Sequence, residues 1–315
     1  MRDYGSILDR NRELAYPLIA AFSDPKNSAL AELNARCITY LQQIPSPPLH
    51  IQSLGCYQII QGGRIVDEHL LRKRRAGELF ALLLLDQKHS LSFDQIADSL
   101  WQDKNTAAAQ MLFHHATSRL RRILEPKLTE KCASRYLTVI GGNVSLHLPE
   151  GTTIDFVEFE SRCKEEDWEG AFELYDGDFL PCFLYSGWAT STRERLKRLY
   201  LRALLVLAHR QFDVNHPREV IDLCHRALEI DPWQEDAVLL GMRACLALND
   251  RAGAIRLYQS LEKSLREDLQ TKPQVSIQEL YRSIIHKNLV DGIDDSIGFQ
   301  YGENHPISIL SKLIF

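Results

Sequence analysis

Phe113, Thr117, Leu120 and Leu124 fall at the i, i+4, i+7, i+11 spacing that gathers side chains on one face of a helix and requires that face to be buried. Within the stretch Gln110 to Arg122 (QMLFHHATSRLRR), the remaining faces carry His114, His115, Ser118, Arg119, Arg121 and Arg122. A core stripe opposite short polar and guanidinium groups suits a rod entering a major groove. Base edges there need hydrogen-bonding side chains, and phosphates need cations. The same pattern also describes an ordinary amphipathic helix with a solvated basic face, so its surroundings decide its use.

Those surroundings have a fixed order. Leu49 to Ile60 (LHIQSLGCYQII) has the alternation and β-branched content of strands, Gly62-Gly63 marks a turn, and Arg64 to Val66 returns as a short strand. The basic run Arg72, Lys73, Arg74 and Arg75 leads into a helix built on Leu79, Phe80, Leu82, Leu83 and Leu84. A second helix follows a turn at Gln87 to Ser90. Ser92 caps it with Gln95 as reciprocal partner, and Ile96, Ala97, Leu100 and Trp101 form its buried side. The helix around Phe113 is the third. Tyr136 to Ile140 and Val144 to Leu148 then read as two strands joined at Gly141-Gly142-Asn143. Strands, three helices and a β-hairpin in that order predict a winged helix-turn-helix with an N-terminal sheet.

Residues 49–150 resemble the winged-helix DNA-binding domain of response regulators, in the version used by the Streptomyces antibiotic regulatory proteins (SARPs). Leu54-Gly55, the stretch RRAGELFALLLL from Arg74 to Leu85, IADSLW from Ile96 to Trp101, and Ser118-Arg119-Leu120-Arg121 carry the likeness by their order and spacing. The wing departs from it. Family members commonly place an aromatic residue after the hairpin glycine, and some carry an arginine reaching the minor groove. This hairpin reads Ile140-Gly141-Gly142-Asn143-Val144, which leaves Arg135 as the nearby cation able to substitute.

After Asp155, the run Leu174-Tyr175-Asp176-Gly177-Asp178-Phe179-Leu180-Pro181, then Trp188 and Arg193-Glu194-Arg195-Leu196, resembles the start of the bacterial transcriptional activator domain that follows the winged helix in SARPs. Asp176-Gly177-Asp178 lacks calcium-loop spacing and reads as a turn between helices. Val220, Ile221, Leu223 and Cys224 are echoed 34 positions later by Ala254, Ile255, Leu257 and Tyr258, the period of tetratricopeptide repeats. Asp231-Pro232 and Lys272-Pro273 are expected to end repeat helices. The fold expected is mainly α with a small β component, a winged helix followed by a tetratricopeptide-like helical domain. Its divisions are 1–48 (helices Ser6 to Phe22 and Asn27 to Gln43, then the stiff linker Ile44-Pro45-Ser46-Pro47-Pro48), 49–150, 151–290 and a tail 291–315 with an apolar end from Ile307 to Phe315. The upstream helices read either as a packing extension or as the tail of a larger, signal-sensing regulator.

A formal net charge of −5 is unlike a nucleic-acid binder until the 315 residues are divided. Residues 50–150 hold 13 Lys and Arg against 10 Asp and Glu, a net +3, whereas residues 151–290 hold 18 against 23, a net −5. The positive charge gathers at Arg72 to Arg75 and Arg119 to Arg122, the two places where a winged helix meets phosphate. Cys37, Cys56, Cys132, Cys163, Cys182, Cys224 and Cys245 show no CxxC spacing, which argues for reduced thiols and against zinc. His114-His115 point about 100° apart on a helix and make a poor chelate. His209, His216 and His225 lack a completing ligand. No phosphate loop, GxSxG, HExxH or GxGxxG motif occurs, and no apolar run of membrane-spanning length or signal segment is present. The expectation is a cytoplasmic, nucleoid-associated chain with no catalytic residues, cofactor, metal or membrane partner.

By match to response-regulator domains, His114, His115, Ser118 and Arg119 face base edges, and Arg72, Lys73, Arg74, Arg75, Arg121, Arg122 and Arg135 meet phosphate. The resemblance implies a sequence-specific transcriptional activator on double-stranded DNA with direct repeats. Its repeat domain would contact RNA polymerase and neighbouring protomers, forming a homo-oligomer on DNA. The alternative is a helical-repeat interaction or signalling module whose winged helix no longer binds DNA. The weak wing, without the aromatic or the arginine, and the acidic total favour that reading, and the Ser118 to Arg122 segment opposes it.

Overall fold

The computed structural model describes residues 15, 18–19, 28–44, 46–126, 128 and 133–297. The expected helix Ser6 to Phe22, Cys132 and most of the tail from Asp291 lie largely outside them. The chain divides into two compact units, 1–200 and 201–315.

In the first unit, helix α1 (Ser28–Gln43) sends Leu41 into a small apolar contact with Leu128, flanked by Ile38 and Ile44. The upstream segment therefore packs on the winged helix, and Tyr136 ties down the linker by donating to the Pro47 carbonyl (2.6 Å). Strands β1 (Leu49–Gln52), β2 (Gln58–Gln61) and β3 (Arg64–Val66) form an antiparallel set, with Ile51 opposite Ile59 and Ile59 opposite Val66. Helices α2 (Glu68–Arg72) and α3 (Ala76–Leu85) follow, α3 buried continuously from Ala76 to Leu84. This is why its Leu-rich stretch shows almost no amphipathic pattern: a helix wrapped on all sides needs none.

Strand β4 (Ser90–Ser92) leads into α4 (Phe93–Leu100), and the capping box expected of Ser92 and Gln95 is present, with bonds of 3.3 and 2.9 Å. Trp101, 4% exposed, closes α4 against the core. Helix α5 (Thr106–Leu124) and the hairpin β5 (Leu137–Ile140) and β6 (Asn143–Leu146) complete the winged helix. The sequence places Ser90 in a turn and Ser92 at a helix cap and shows no strand between them. The three residues of β4 pair with β6, Leu91 opposite Val144, to make the sheet β4-β6-β5, and so short a strand carries no periodicity of its own.

The winged helix does not stop cleanly at the hairpin. Strand β7 (Thr153–Ile154) adds in parallel to β1, giving the sheet order β3-β2-β1-β7, and opens helix α6 (Asp155–Lys164). The Asp155 carboxylate accepts from Ser53 N (2.6 Å), Ser53 Oγ (2.6 Å) and Leu54 N (2.8 Å), and from Phe156 N at its own helix start. Helix α7 (Trp168–Leu174) then leads into the loop carrying Asp176-Gly177-Asp178. Leu54-Gly55 and that loop, read separately in the sequence, meet here: Gly55 N donates to Asp178 O (3.0 Å) and Leu180 N to Ser53 O (2.7 Å). A Cβ on Gly55, whose φ is +76°, would sit 2.6 Å from the Asp176 carbonyl oxygen, so only glycine admits this approach. Arg193, 5% exposed on helix α8 (Gly187–Asp213), holds the loop by donating to the carbonyls of Phe179, Phe183 and Leu184, each at 3.1 Å. Trp188 of the same helix donates to Glu78 of α3 at 3.0 Å.

The second unit holds the end of α8 and helices α9 (Pro217–Ile230), α10 (Glu235–Ala247), α11 (Arg251–Ser264) and α12 (Val275–Ile297). The repeat is physical. Val220 and Ala254 are both fully buried, Cys224 and Tyr258 are buried, and Ile221 and Ile255 are both half-buried. Pro217 starts α9 where its missing N–H costs nothing, and α9 ends before Asp231-Pro232 as expected. After α11 a π-turn (Leu265–Leu269) and Gln270 in the left-handed region already stop the helix, ahead of Lys272-Pro273. The molecule is thus mainly helical with two small sheets, a winged helix followed by helical repeats.

Candidate nucleic-acid interface

Helix α5 begins about one turn ahead of Gln110, where the sequence stretch started, because Asn105 Oδ1 caps it by accepting from Ala108 N (2.9 Å). Its buried side is Ala109, Phe113, Ala116, Thr117, Leu120, Ile123 and Leu124, which includes all four residues of the expected stripe. Phe113 packs edge-on against Phe93 of α4 at 5.4 Å, and the Thr117 hydroxyl donates back to the Phe113 carbonyl (2.9 Å). The outward face carries Gln110, Met111, His114, His115, Ser118 and Arg122 as exposed residues, with Arg119 and Arg121 half-buried beside them. Gln110 and Met111 extend this face towards the helix start; the Asn105 cap was the signal for them.

The structure sorts the polar residues into two flanks. His114, Ser118 and Arg121 line a groove of ≈ 620 Å³ between α5 and the wing, closed on the other side by Ser134, Leu137, Thr138 and Val139. His115, Arg119 and Arg122, related by i+4 and i+7, form the opposite flank, which faces the turn Lys73–Arg75. Arg74 reaches across from that turn, and its Nη1 lies 3.3 Å from His115 Nδ1. The Nε of Arg119 is shielded from solvent and has no hydrogen-bond partner among the described residues.

The basic run itself divides. Arg72 pairs with Glu68 (2.8 Å) and donates to the Cys182 carbonyl (3.2 Å). All four residues of the run are exposed. Arg75 donates to the Leu100 carbonyl and pairs with Glu78 at 3.7 Å. Arg74 and Arg75 both have a φ of 55°, two successive non-glycine residues in the left-handed region. At the wing, Arg135 lies against Glu125 (3.2 Å), whose side chain is 0% exposed and which also accepts from the Ser134 hydroxyl. The tip instead presents Val139 and Ile140, the latter 71% exposed.

Among the described residues no three His, Cys, Asp or Glu side chains gather as a metal centre requires, and no helix is long and apolar enough to cross a membrane. Burial pushes the Cys182 thiol up to about 11 and the Cys224 thiol up to about 12, so neither is a thiolate at neutral pH.

A winged helix with a polar, arginine-bearing third helix, joined to helical repeats, is the architecture of a transcriptional regulator. Residues 161–285 match the family model of the bacterial transcriptional activator domain. Regulatory protein AfsR of Streptomyces coelicolor (strain ATCC BAA-471 / A3(2) / M145) is 23% identical over 213 residues, covering 66% of this chain and 21% of AfsR. The chain therefore spans about a fifth of the length of that relative. Among solved structures, Mycobacterium tuberculosis EmbR in complex with a low-affinity phosphopeptide is similar with a TM-score of 0.58 and 17% identity, covering 77% of this chain and 66% of that one. The likeness to EmbR speaks for the fold alone. The activator-domain match and the likeness to AfsR support a SARP-type transcriptional regulator.

Proposed function

We propose that the chain is a sequence-specific DNA-binding transcriptional activator that places α5 in the major groove. The observation carrying this reading is the outward face of α5, polar and basic, bounded on one side by the wing groove and on the other by the basic turn. His114, His115, Ser118 and Arg119 face base edges. Arg121, Arg122 and some of the Arg72 to Arg75 run, Lys73 and Arg74 foremost, meet phosphate. Arg119, with a buried Nε lacking an acceptor and a planar fork beyond it, suits a bidentate contact with guanine. The acidic repeat region gains nothing from the DNA backbone. Its part is contact with RNA polymerase and with a neighbouring protomer on a direct repeat, as a homo-oligomer assembled on DNA in the cytoplasm.

A salt-titrated binding assay of the full chain against genomic fragments tests this. Specific binding with a steep negative log–log slope is expected, and Arg122→Ala should flatten the slope by about 0.9 while weakening all sequences alike. Arg119→Ala should relax sequence preference instead, by roughly 1–3 kcal/mol of discrimination. Binding that ignores salt would overturn the reading. The second reading, an interaction module with a degenerate winged helix, draws on the engagement of Arg135 by Glu125 and on the apolar wing tip. It requires that no fragment be bound at any salt concentration.

A further inference from the structure

We propose that Arg74 is a positioning residue that fixes the tautomer of His115, and that His115 thereby presents a hydrogen-bond donor to a base-edge acceptor. This rests on the reading of α5 as the base-facing helix. A guanidinium has five N–H groups and no acceptor, so in the 3.3 Å contact between Arg74 Nη1 and His115 Nδ1 the imidazole nitrogen accepts. Nδ1 is then the accepting nitrogen, which leaves the ring N–H on Nε2. The remaining ring nitrogen is a donor.

The pose of Arg74 is set by its backbone. Arg74 (φ 55°, ψ 32°) and Arg75 (φ 55°, ψ 22°) lie consecutively in a region that side-chain-bearing residues rarely enter. Such a pair persists only where neighbours over-determine it. Here Arg75 supplies the anchors, donating to the Leu100 carbonyl at the end of α4 and pairing with Glu78 of α3. The turn thus fastens to α3 and α4 and aims the Arg74 side chain at the flank of α5. His115 is exposed, so its Nε2–H remains available to a ligand while Nδ1 is engaged.

The consequence is a rule for recognition. A lone imidazole can donate or accept and reads no base in particular. An Nε2–H donor accepts partnership from guanine O6 or N7, adenine N7 or thymine O4, and it is mismatched against the amino group of cytosine. At the position facing His115, cytosine on the contacted strand is therefore excluded. A phosphate oxygen offers the same acceptor chemistry without sequence information, and the two sources separate experimentally.

The experiment has two arms on the full chain. In the first, the ¹⁵N ring signals of His115, assigned by difference against His115→Gln, report the tautomer without DNA. The Nε2–H form is expected in the wild type. Arg74→Gly suits a φ of 55° and removes the guanidinium, so it should fold and shift His115 to a tautomer mixture. Arg74→Lys, which still donates, should restore much of the Nε2–H form. An Nδ1–H ring in the wild type, or populations unmoved by Arg74→Gly, would overturn the proposal. In the second arm, binding sites are selected from random duplexes. Arg74→Gly and His115→Ala should each relax discrimination against cytosine at one and the same position by about fivefold, the scale of a single hydrogen bond. If both variants weakened every sequence equally and kept the base preferences, the acceptor would be phosphate and the proposal would fall. Absence of DNA binding by the wild type would overturn the reading of α5 as well, whereas a wrong tautomer with intact specific binding defeats only the role of Arg74.

Discussion

Asp155→Ala should destabilise the first unit by about 3 kcal/mol or more and loosen the winged helix from the helices that follow it. Its carboxylate accepts from Ser53 N, Ser53 Oγ and Leu54 N, and Ser53 and Leu54 are 1% and 3% exposed. A buried donor left without an acceptor costs about 1–3 kcal/mol, and the substitution strands more than one at once. Water cannot easily replace the carboxylate, because the β1–β2 loop is covered from the other side by the Asp178–Leu180 backbone. Asp155→Asn keeps one acceptor oxygen and should recover part of the loss. Urea unfolding of both variants checks this, with Ser161→Ala on the same helix as control. If Asp155→Ala unfolded at the wild-type midpoint, the carboxylate would not be what fastens β1 to α6.

The same residue bears on where the DNA-binding region ends. A cut after residue 150 removes β7, its parallel pairing with β1, and the Asp155 carboxylate together. A fragment of residues 49–150 is therefore expected to be less stable than one carried through Tyr200, where the first compact unit closes. Comparing thermal melts of the two fragments tests this before any assay of DNA binding.

What the sequence made legible is local. The α5 stripe, the Ser92–Gln95 capping box and the 34-residue echo each depend on spacings within one element or between identical elements, and all three are present. What it hid depends on residues far apart in the chain. β4 exists only because β6 arrives beside it. Gly55 and the Asp176–Asp178 turn carry no mark that one packs on the other. Charge patterns were the least informative. Arg72, Lys73, Arg74 and Arg75 form one basic run in sequence, yet its three arginines go to different places: Arg72 to Glu68, Arg74 to His115, and Arg75 to Leu100 and Glu78. A run of like charge states that cations are near one another along the backbone and says nothing of their partners.

Arg135 sharpens that lesson into a measurement. As the cation nearest the wing, it was expected at phosphate, but its guanidinium lies 3.2 Å from a Glu125 carboxylate whose side chain is 0% exposed, and it is itself only 13% exposed. Removing one partner of a buried ion pair leaves the other charge uncompensated and costs about 3–5 kcal/mol, more than the pair contributes when both are present. The Ser134 hydroxyl and the Arg135 amide still donate to Glu125, so Arg135→Ala should fall near the lower end of that range. The double variant Arg135→Met with Glu125→Gln, which removes both charges, should recover most of the stability. Its DNA affinity is the deciding number. If Arg135 acts through Glu125, the double variant binds with an unchanged salt slope, because no phosphate contact has been lost. A slope reduced by about 0.9 with stability restored would instead return Arg135 to the backbone of the DNA, and the wing with it.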